Sequence, residues 1–367
     1  MEKRSSAPRN ADLAAPLNAW WLLLARVDRA RRRCGRGLAA LGLGPLQSPS
    51  RVVLAEAPVT VKAYAAPEAA GPVVLLVPAP IKRAYIWDLA PWASVVQQCL
   101  RAGLRPYLVQ WERPGSREQS LGLADYADRL LLRCLAAVAA DSGQRQVLVA
   151  GHSLGGTLAA IFAALHPARV RGLVLLGAPL HFGPDAGPFG LLTSLAPRAS
   201  VPADLPEGVP GSFLDLVSAV TAPVTFVWAQ WLDWPSSLGN PRALATRLRL
   251  ERWLLDELPL PRRLFTDVVE WLYREDRFQR GTLRLGGREV GPRSLAVPTL
   301  SVVYARCAVA PPQSVLPFHR ALGDVENRLL WYPGDVGVAI QHLGMLVGER
   351  AHRHLWPEIL RWLRRHG

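Results

Sequence analysis

The sequence predicts an α/β fold in which a mostly parallel sheet carries helices on both faces and a cap is inserted late in the chain. Three observations lead there. Between Val73 and Leu176, short apolar runs alternate with helical patterns, as in successive strand–helix–strand units of a parallel sheet. The alternation stops near Leu180 and resumes at Pro298, so residues 181–294 stand outside it. One strand-to-helix turn, Gly151-His-Ser-Leu-Gly-Gly156, sets a serine among glycines.

The elements follow in order. Residues 1–51 form a basic N-terminal arm, with an Arg-rich amphipathic helix expected over 16–42. Arg51-Val-Val-Leu and Val59-Thr-Val-Lys-Ala-Tyr alternate like the strands of a hairpin. Val73–Val77 is a continuous apolar run ended by Pro78-Ala-Pro80, as a strand buried on both faces should be. A helix is expected over Trp92–Ala102, a strand over Pro106–Trp111, and a helix over Tyr126–Ala140. Strand Val147–Ala150, helix Gly155–Leu165 and strand Val170–Leu176 complete the first half of the core, residues 52–180. Residues 181–240 are rich in Pro, Gly and Trp, and Arg242–Tyr273 reads as helices. The whole of 181–294 is expected to cap the sheet's carboxyl edge. The core returns over 295–367 with strands at Pro298–Tyr304 and Arg328–Tyr332 and a helix over Arg350–Arg364.

Composition narrows the class. Half of the 367 residues are hydrophobic, which excludes disorder along most of the chain. No apolar run reaches the roughly 18–20 residues of a membrane span; Leu17–Ala25 is cut off by Arg26 and Arg31–Arg33. Cys34, Cys99, Cys134 and Cys307 are widely spaced, which argues against a disulfide framework or a zinc site. Glu2-Lys3-Arg4 leads into a polar stretch and not a leader, so the chain reads as cytoplasmic. The net charge of +14 is concentrated at the ends: +7 in residues 1–51, +4 in 350–367 and only +3 between them. With no zinc-finger, RNP-like or helix-turn-helix signature, a specific nucleic-acid partner is not expected.

The chemistry is in Val147-Leu-Val-Ala-Gly-His-Ser-Leu-Gly-Gly156. G-x-S-x-G after a buried strand and before a helix is the setting of a nucleophile elbow, the signature of α/β-hydrolase folds. Ser153 is then the nucleophile, and the amide of Leu154 at the helix N-terminus faces the developing oxyanion. A second donor is expected from the loop after Val73–Val77; Pro78 and Pro80 have no N–H, which leaves Ala79 or Ile81, with Ile81 favoured. The base should follow the last strand, where His342 stands; His352 and His354 read as surface residues. The acid should follow the strand ending near Tyr304, and no carboxylate occurs there. Asp335 is a displaced candidate, with Asp324 and Glu326 one element earlier.

From about Val53 onward the sequence resembles the catalytic subunit of class III polyhydroxyalkanoate (PHA) synthases. The likeness rests on Ile81-Lys-Arg-Ala-Tyr-Ile-Trp-Asp-Leu89, Leu165-His-Pro-Ala-Arg-Val-Arg171, Arg249-Leu-Glu-Arg-Trp253, Leu285-Gly-Gly-Arg-Glu-Val290 and His342-Leu-Gly344. The family's elbow is G-x-C-x-G-G, so Ser153 stands where the resemblance implies a cysteine. Its acid lies in D-x-x-V-P-P, here Cys307-Ala-Val-Ala-Pro-Pro312, so Cys307 holds the position of the family acid. The resemblance implies 3-hydroxyacyl transfer from CoA without a cofactor or metal. It also implies a second synthase subunit or a PHA granule surface as partner. Two alternatives stay open: a serine esterase, thioesterase or PHA depolymerase, and a catalytically impaired paralogue that binds granules or modulates a synthase. Trp228, Trp231, Trp234, Trp253 and Trp271 are candidates to line an acyl channel or to pack a core.

Overall fold

Eight strands build one central sheet: β1 (Arg51–Glu56), β2 (Val59–Ala63), β3 (Val73–Val77), β4 (Arg105–Trp111), β5 (Val147–His152), β6 (Val170–Leu176), β7 (Thr299–Tyr304) and β8 (Asn327–Tyr332). This is a computed structural model, and it describes residues 11–367 apart from 67, 200, 203, 204 and 206. The first ten residues of the basic arm lie outside the described residues.

The strand order is β1-β2-β4-β3-β5-β6-β7-β8. β1 and β2 form the expected antiparallel hairpin, and β2 runs antiparallel to β4. Every other pairing is parallel. All five residues of β3 and all six of β5 are buried, which is why those segments read as continuous apolar runs and not as alternations. The α/β class with a mostly parallel sheet is therefore borne out.

Helices cover both faces. α1 (Ala11–Leu38) precedes the sheet; α2 (Val95–Arg101), α3 (Leu130–Ser142) and α4 (Leu154–Leu165) cross between its strands. α2 begins later than the sequence suggests, because Asp88–Ala90 and Ala93–Ser94 first form a short strand pair and Ser94 caps the helix. Between β6 and β7 lie α5 (Pro188–Leu195), α6 (Gly211–Thr221), α7 (Ala229–Leu238), α8 (Pro241–Leu254) and α9 (Arg262–Asp267). Three of these, α5 to α7, occupy the Pro-, Gly- and Trp-rich stretch 181–240, for which no helix is expected from composition. α10 (Pro312–Ala321), α11 (Gln341–Val347) and α12 (Trp356–His366) complete the core.

The arm helix is tied into the body. Trp21 and Leu24 are buried in the main apolar core. The Asp28 carboxylate accepts from the amides of Gly211 and Ser212, so α1 supplies the acceptors at the start of α6. Arg31 reaches Asp215 on α6 at 2.8 Å and the buried Glu257 at 2.7 Å. Among the described residues no single helix is long and apolar enough to cross a membrane; α6 and the segment Val224–Trp231 meet that test only together, bent by 112°.

Candidate active site

Ser153 sits at the sharp turn between β5 and α4 with φ 55° and ψ −135°, a conformation unusual for a residue with a side chain. The turn is so tight that a Cβ on Gly155 would strike the backbone of Val77 and Pro78, and one on Gly151 would meet Gly156. Its register is fixed by the Ser153 amide donating to the Leu176 carbonyl (3.0 Å) and the Gly156 amide donating to the Ser153 carbonyl (2.8 Å). Leu154 opens α4, so its amide belongs to the first turn, where helical N–H groups have no intrahelical acceptor.

His342 lies in the first turn of α11, and it and Ser153 line the same cavity. The imidazole is buried. Its Nδ1 lies 3.3 Å from the Cys307 sulfur, and its Nε2 has no hydrogen-bond partner. Burial, with a smaller contribution from His152, holds its pKa well below the usual histidine value, so it is a neutral imidazole at neutral pH.

Two residues that position His342 carried no functional signal in the sequence. His152, inside the elbow motif, donates from Nε2 to the His342 carbonyl at 2.9 Å, and the two rings lie 4.5 Å apart. Gly177, at the end of β6 with φ 52°, leaves the room that the imidazole fills: a Cβ there would lie 3.0 Å from Cε1 and 3.1 Å from Nδ1. Neither contact has a local pattern, since His342 is more than 160 residues further along the chain.

Cys307 follows β7 and is buried beside the imidazole. The Ala310 amide donates to its sulfur (3.3 Å), yet burial pushes the thiol up to about 11, so it remains protonated at neutral pH. Asp335 is not within reach of the imidazole. Its carboxylate accepts from the Tyr332 hydroxyl (2.9 Å) and from the amides of Arg350 (2.9 Å) and Ala351 (3.0 Å), pinning the loop before α11 to the turn after it. Glu326 precedes β8, at the sheet edge opposite the elbow, and bonds Trp362; Asp324 precedes it. The imidazole therefore has a thiol, and no carboxylate, at Nδ1.

Ile81 lines both the main cavity and a small adjoining pocket with Ser153 and His342; its carbonyl accepts from the Leu258 amide at 3.0 Å. The main cavity, about 880 Å³, is lined by aliphatic side chains together with the rings of Phe189, Phe213, Phe226, Phe265 and Tyr273 from the inserted segment. Of the five tryptophans, only Trp253 joins this lining. Trp228 and Trp231 are 62% and 71% exposed, Trp234 lies against Arg247, and Trp271 is flanked by Arg263 and Arg277. His352 is buried, against the expectation of a surface residue, because the chain after α11 turns it inward to donate to the Leu346 carbonyl at 2.8 Å. Cys34 is exposed, and Cys99 and Cys134 are buried. No group of three or more metal-ligating side chains occurs among the described residues.

A family model for the alpha/beta hydrolase fold matches residues 72–206. Over 292 residues, the chain is 30% identical to the poly(3-hydroxyalkanoate) polymerase subunit PhaC of Haloferax mediterranei, covering 79% of this chain and 58% of that protein. To the same subunit of Haloarcula marismortui it is 29% identical over 329 residues, 86% of this chain and 67% of that one. To that of Allochromatium vinosum it is 25% identical over 342 residues, 90% and 94%. The chain belongs to the PHA synthase family. Its α/β-hydrolase fold is shared with an alpha/beta hydrolase fold protein from Nakamurella multipartita (TM-score 0.51, 19% identity, 87% of this chain and 100% of that one). It is also shared with a thermophilic esterase from Thermogutta terrifontis (TM-score 0.50, 16% identity, 87% and 99%). These two likenesses concern the fold. The family assignment rests on the polymerase subunits, whose similarity covers 79–90% of this chain.

Proposed function

We propose that the chain is a PHA synthase-like acyltransferase that takes a 3-hydroxyacyl group from its CoA thioester onto Ser153. Nε2 of His342 removes the hydroxyl proton as Oγ attacks the thioester carbonyl. The amides of Leu154 and Ile81 hold the oxyanion. Collapse breaks the C–S bond, the thiol leaves with the proton from the imidazolium, and the acyl group stays on Oγ. A second hydroxyacyl group accepts it by the reverse sequence. The single observation that carries this reading is that Ser153 on its strained turn and His342 share one apolar cavity of about 880 Å³. The choice of a polyester-forming acyl group over a simple ester rests on the polymerase relatives.

The test is covalent labelling of the purified protein by a fluorophosphonate, followed by CoA release from 3-hydroxybutyryl-CoA. The expected result is labelling well above that of free serine, lost in Ser153→Ala, with CoA release dependent on the same residue. Cleavage of short acyl esters without thioester turnover would favour the esterase alternative. Absence of labelling would favour a binding or modulating paralogue, a reading supported by one specific observation: Cys307, not a carboxylate, stands at Nδ1 of His342.

The partner implied by the resemblance, a granule surface or a second subunit, has a physical counterpart on the inserted helices. Leu195, Val220, Val224, Trp228 and Trp231 are all exposed, and residues 216–232 contain no charged side chain. This face is the proposed contact with granule or partner subunit.

A further inference from the structure

A second cleft of about 530 Å³ shares no lining residue with the acyl cavity. It opens between α2, the first turns of α8, the loop before α11 and the segment after it. Three guanidinium groups, those of Arg101, Arg242 and Arg353, face one carboxylate, Glu349, which is paired with Arg353 at 2.5 Å. Arg101 and Arg242 are exposed and form no ion pair among the described residues.

One wall is the ring of Trp92, held by its Nε1 donating to Thr246 Oγ1 at 3.0 Å. The floor includes His352, only 8% exposed. Its Nε2–H is committed to the Leu346 carbonyl, and its buried Nδ1 has no partner. Burial lowers this histidine to about 4, so Nδ1 is an unprotonated acceptor at neutral pH.

These features select a ligand. Two unpaired guanidinium groups suit a phosphate. An inorganic anion would fill only a fraction of the cleft and would offer nothing to the Nδ1 lone pair, which requires a donor N–H or O–H. A flat ring system or sugar carrying such donors would use both the Trp92 wall and His352. We propose that this cleft binds a nucleoside phosphate, with its phosphate on Arg101 and Arg242, its base or sugar against Trp92, and a donor group on Nδ1 of His352. The site is separate from Ser153, so the proposal stands or falls independently of acyl transfer.

Calorimetric titration of the full chain with ADP, adenosine and pyrophosphate tests it. ADP is expected to bind saturably, and each half-ligand at least about tenfold more weakly. Arg101→Gln and Arg242→Gln should each weaken ADP by about tenfold or more, the loss of one charge-assisted contact. Both side chains are exposed, so folding is preserved, and Ser153→Ala should bind ADP as the parent does. A competing titration with CoA separates a free nucleotide from the nucleotide end of the acyl donor. ADP affinity unchanged in both arginine variants, pyrophosphate binding as tightly as ADP, or no binding at millimolar ADP would each overturn the proposal.

Discussion

The sulfur of Cys307 lies 3.3 Å from Nδ1 of His342, in the place where a triad carboxylate would orient the base. A carboxylate accepts from Nδ1–H and so leaves Nε2 free to take the serine proton. A neutral thiol imposes no such choice: it can donate to Nδ1, which puts the ring proton on Nε2 and disables the base. It also cannot stabilise the imidazolium by charge. Cys307→Asp should therefore raise the fluorophosphonate labelling rate of Ser153 by at least about a hundredfold. The Ala310 amide already points at this position, so the new carboxylate is not left bare. The acid limb of the pH profile should move upward in the variant, because an adjacent anion favours protonated His342. A rate no faster than the parent's would mean that the thiol suffices or that the site does not turn over.

How much of this was legible in the sequence depends on how local each signal is. The elbow was legible because its glycines are required by backbone approaches within one turn, and Ser153 and His342 were named from it and from the position after the last strand. The cavity was not: its rings come from α5, α6, α9 and the turns that follow α6 and α9, and part of that region reads as a loop because Pro and Gly dominate its composition. Of the tryptophans there only Trp253 lines it, beside four phenylalanines, since side-chain direction along those helices is set by packing. His152 and Gly177 act across more than 160 residues of chain, beyond any pattern readable in a window.

Asp335 provides a separate check on the acid. It accepts three hydrogen bonds from groups that fix the loop before α11 and none from His342. Asp335→Asn keeps one acceptor oxygen and places a donor against backbone amides, which should cost about 1–3 kcal/mol of stability. Labelling of the folded fraction should change by less than about threefold. A loss near a hundredfold with an unchanged melting temperature would make Asp335 the displaced acid after all.

Gly177 predicts a change in activity larger than its change in stability. An alanine there meets Cε1 and Nδ1 of His342 at 3.0 and 3.1 Å, so the imidazole must shift by a few tenths of an ångström from its place against Cys307. Gly143, also at positive φ (76°), has open space where its Cβ would be. Gly177→Ala and Gly143→Ala should thus each cost roughly 1 kcal/mol in backbone strain. Only Gly177→Ala should slow labelling of Ser153, by about tenfold or more. Equal activity in the two variants would remove Gly177 from the positioning of the base.

Stability should fall steeply on acidification, and the sign follows from four buried histidines. Burial lowers His152, His319 and His352 to about 4 and His342 well below its usual value. Below about pH 6.5 the unfolded chain binds protons at these positions that the folded chain does not, so unfolding takes up protons and stability drops as pH falls. Glu257 opposes this. Burial, with Asp215 beside it, raises it to about 8 against the pull of Lys82, so the folded chain holds a proton there that the unfolded chain releases above about pH 4.5. Asp267 and Asp335, which burial also raises, act in the same sense as Glu257, but the four histidines outweigh these carboxyls between about pH 6 and 5, so unfolding still takes up protons there. Denaturant midpoints measured from pH 7 to 4.5 should decline accordingly. Substituting His319, whose Nε2 meets Ser301 at 2.7 Å and which does not line the Ser153 cavity, by Gln should remove about one proton from that uptake while leaving Ser153 labelling intact. A midpoint that holds level across this range would show that the folded chain protonates these histidines in place.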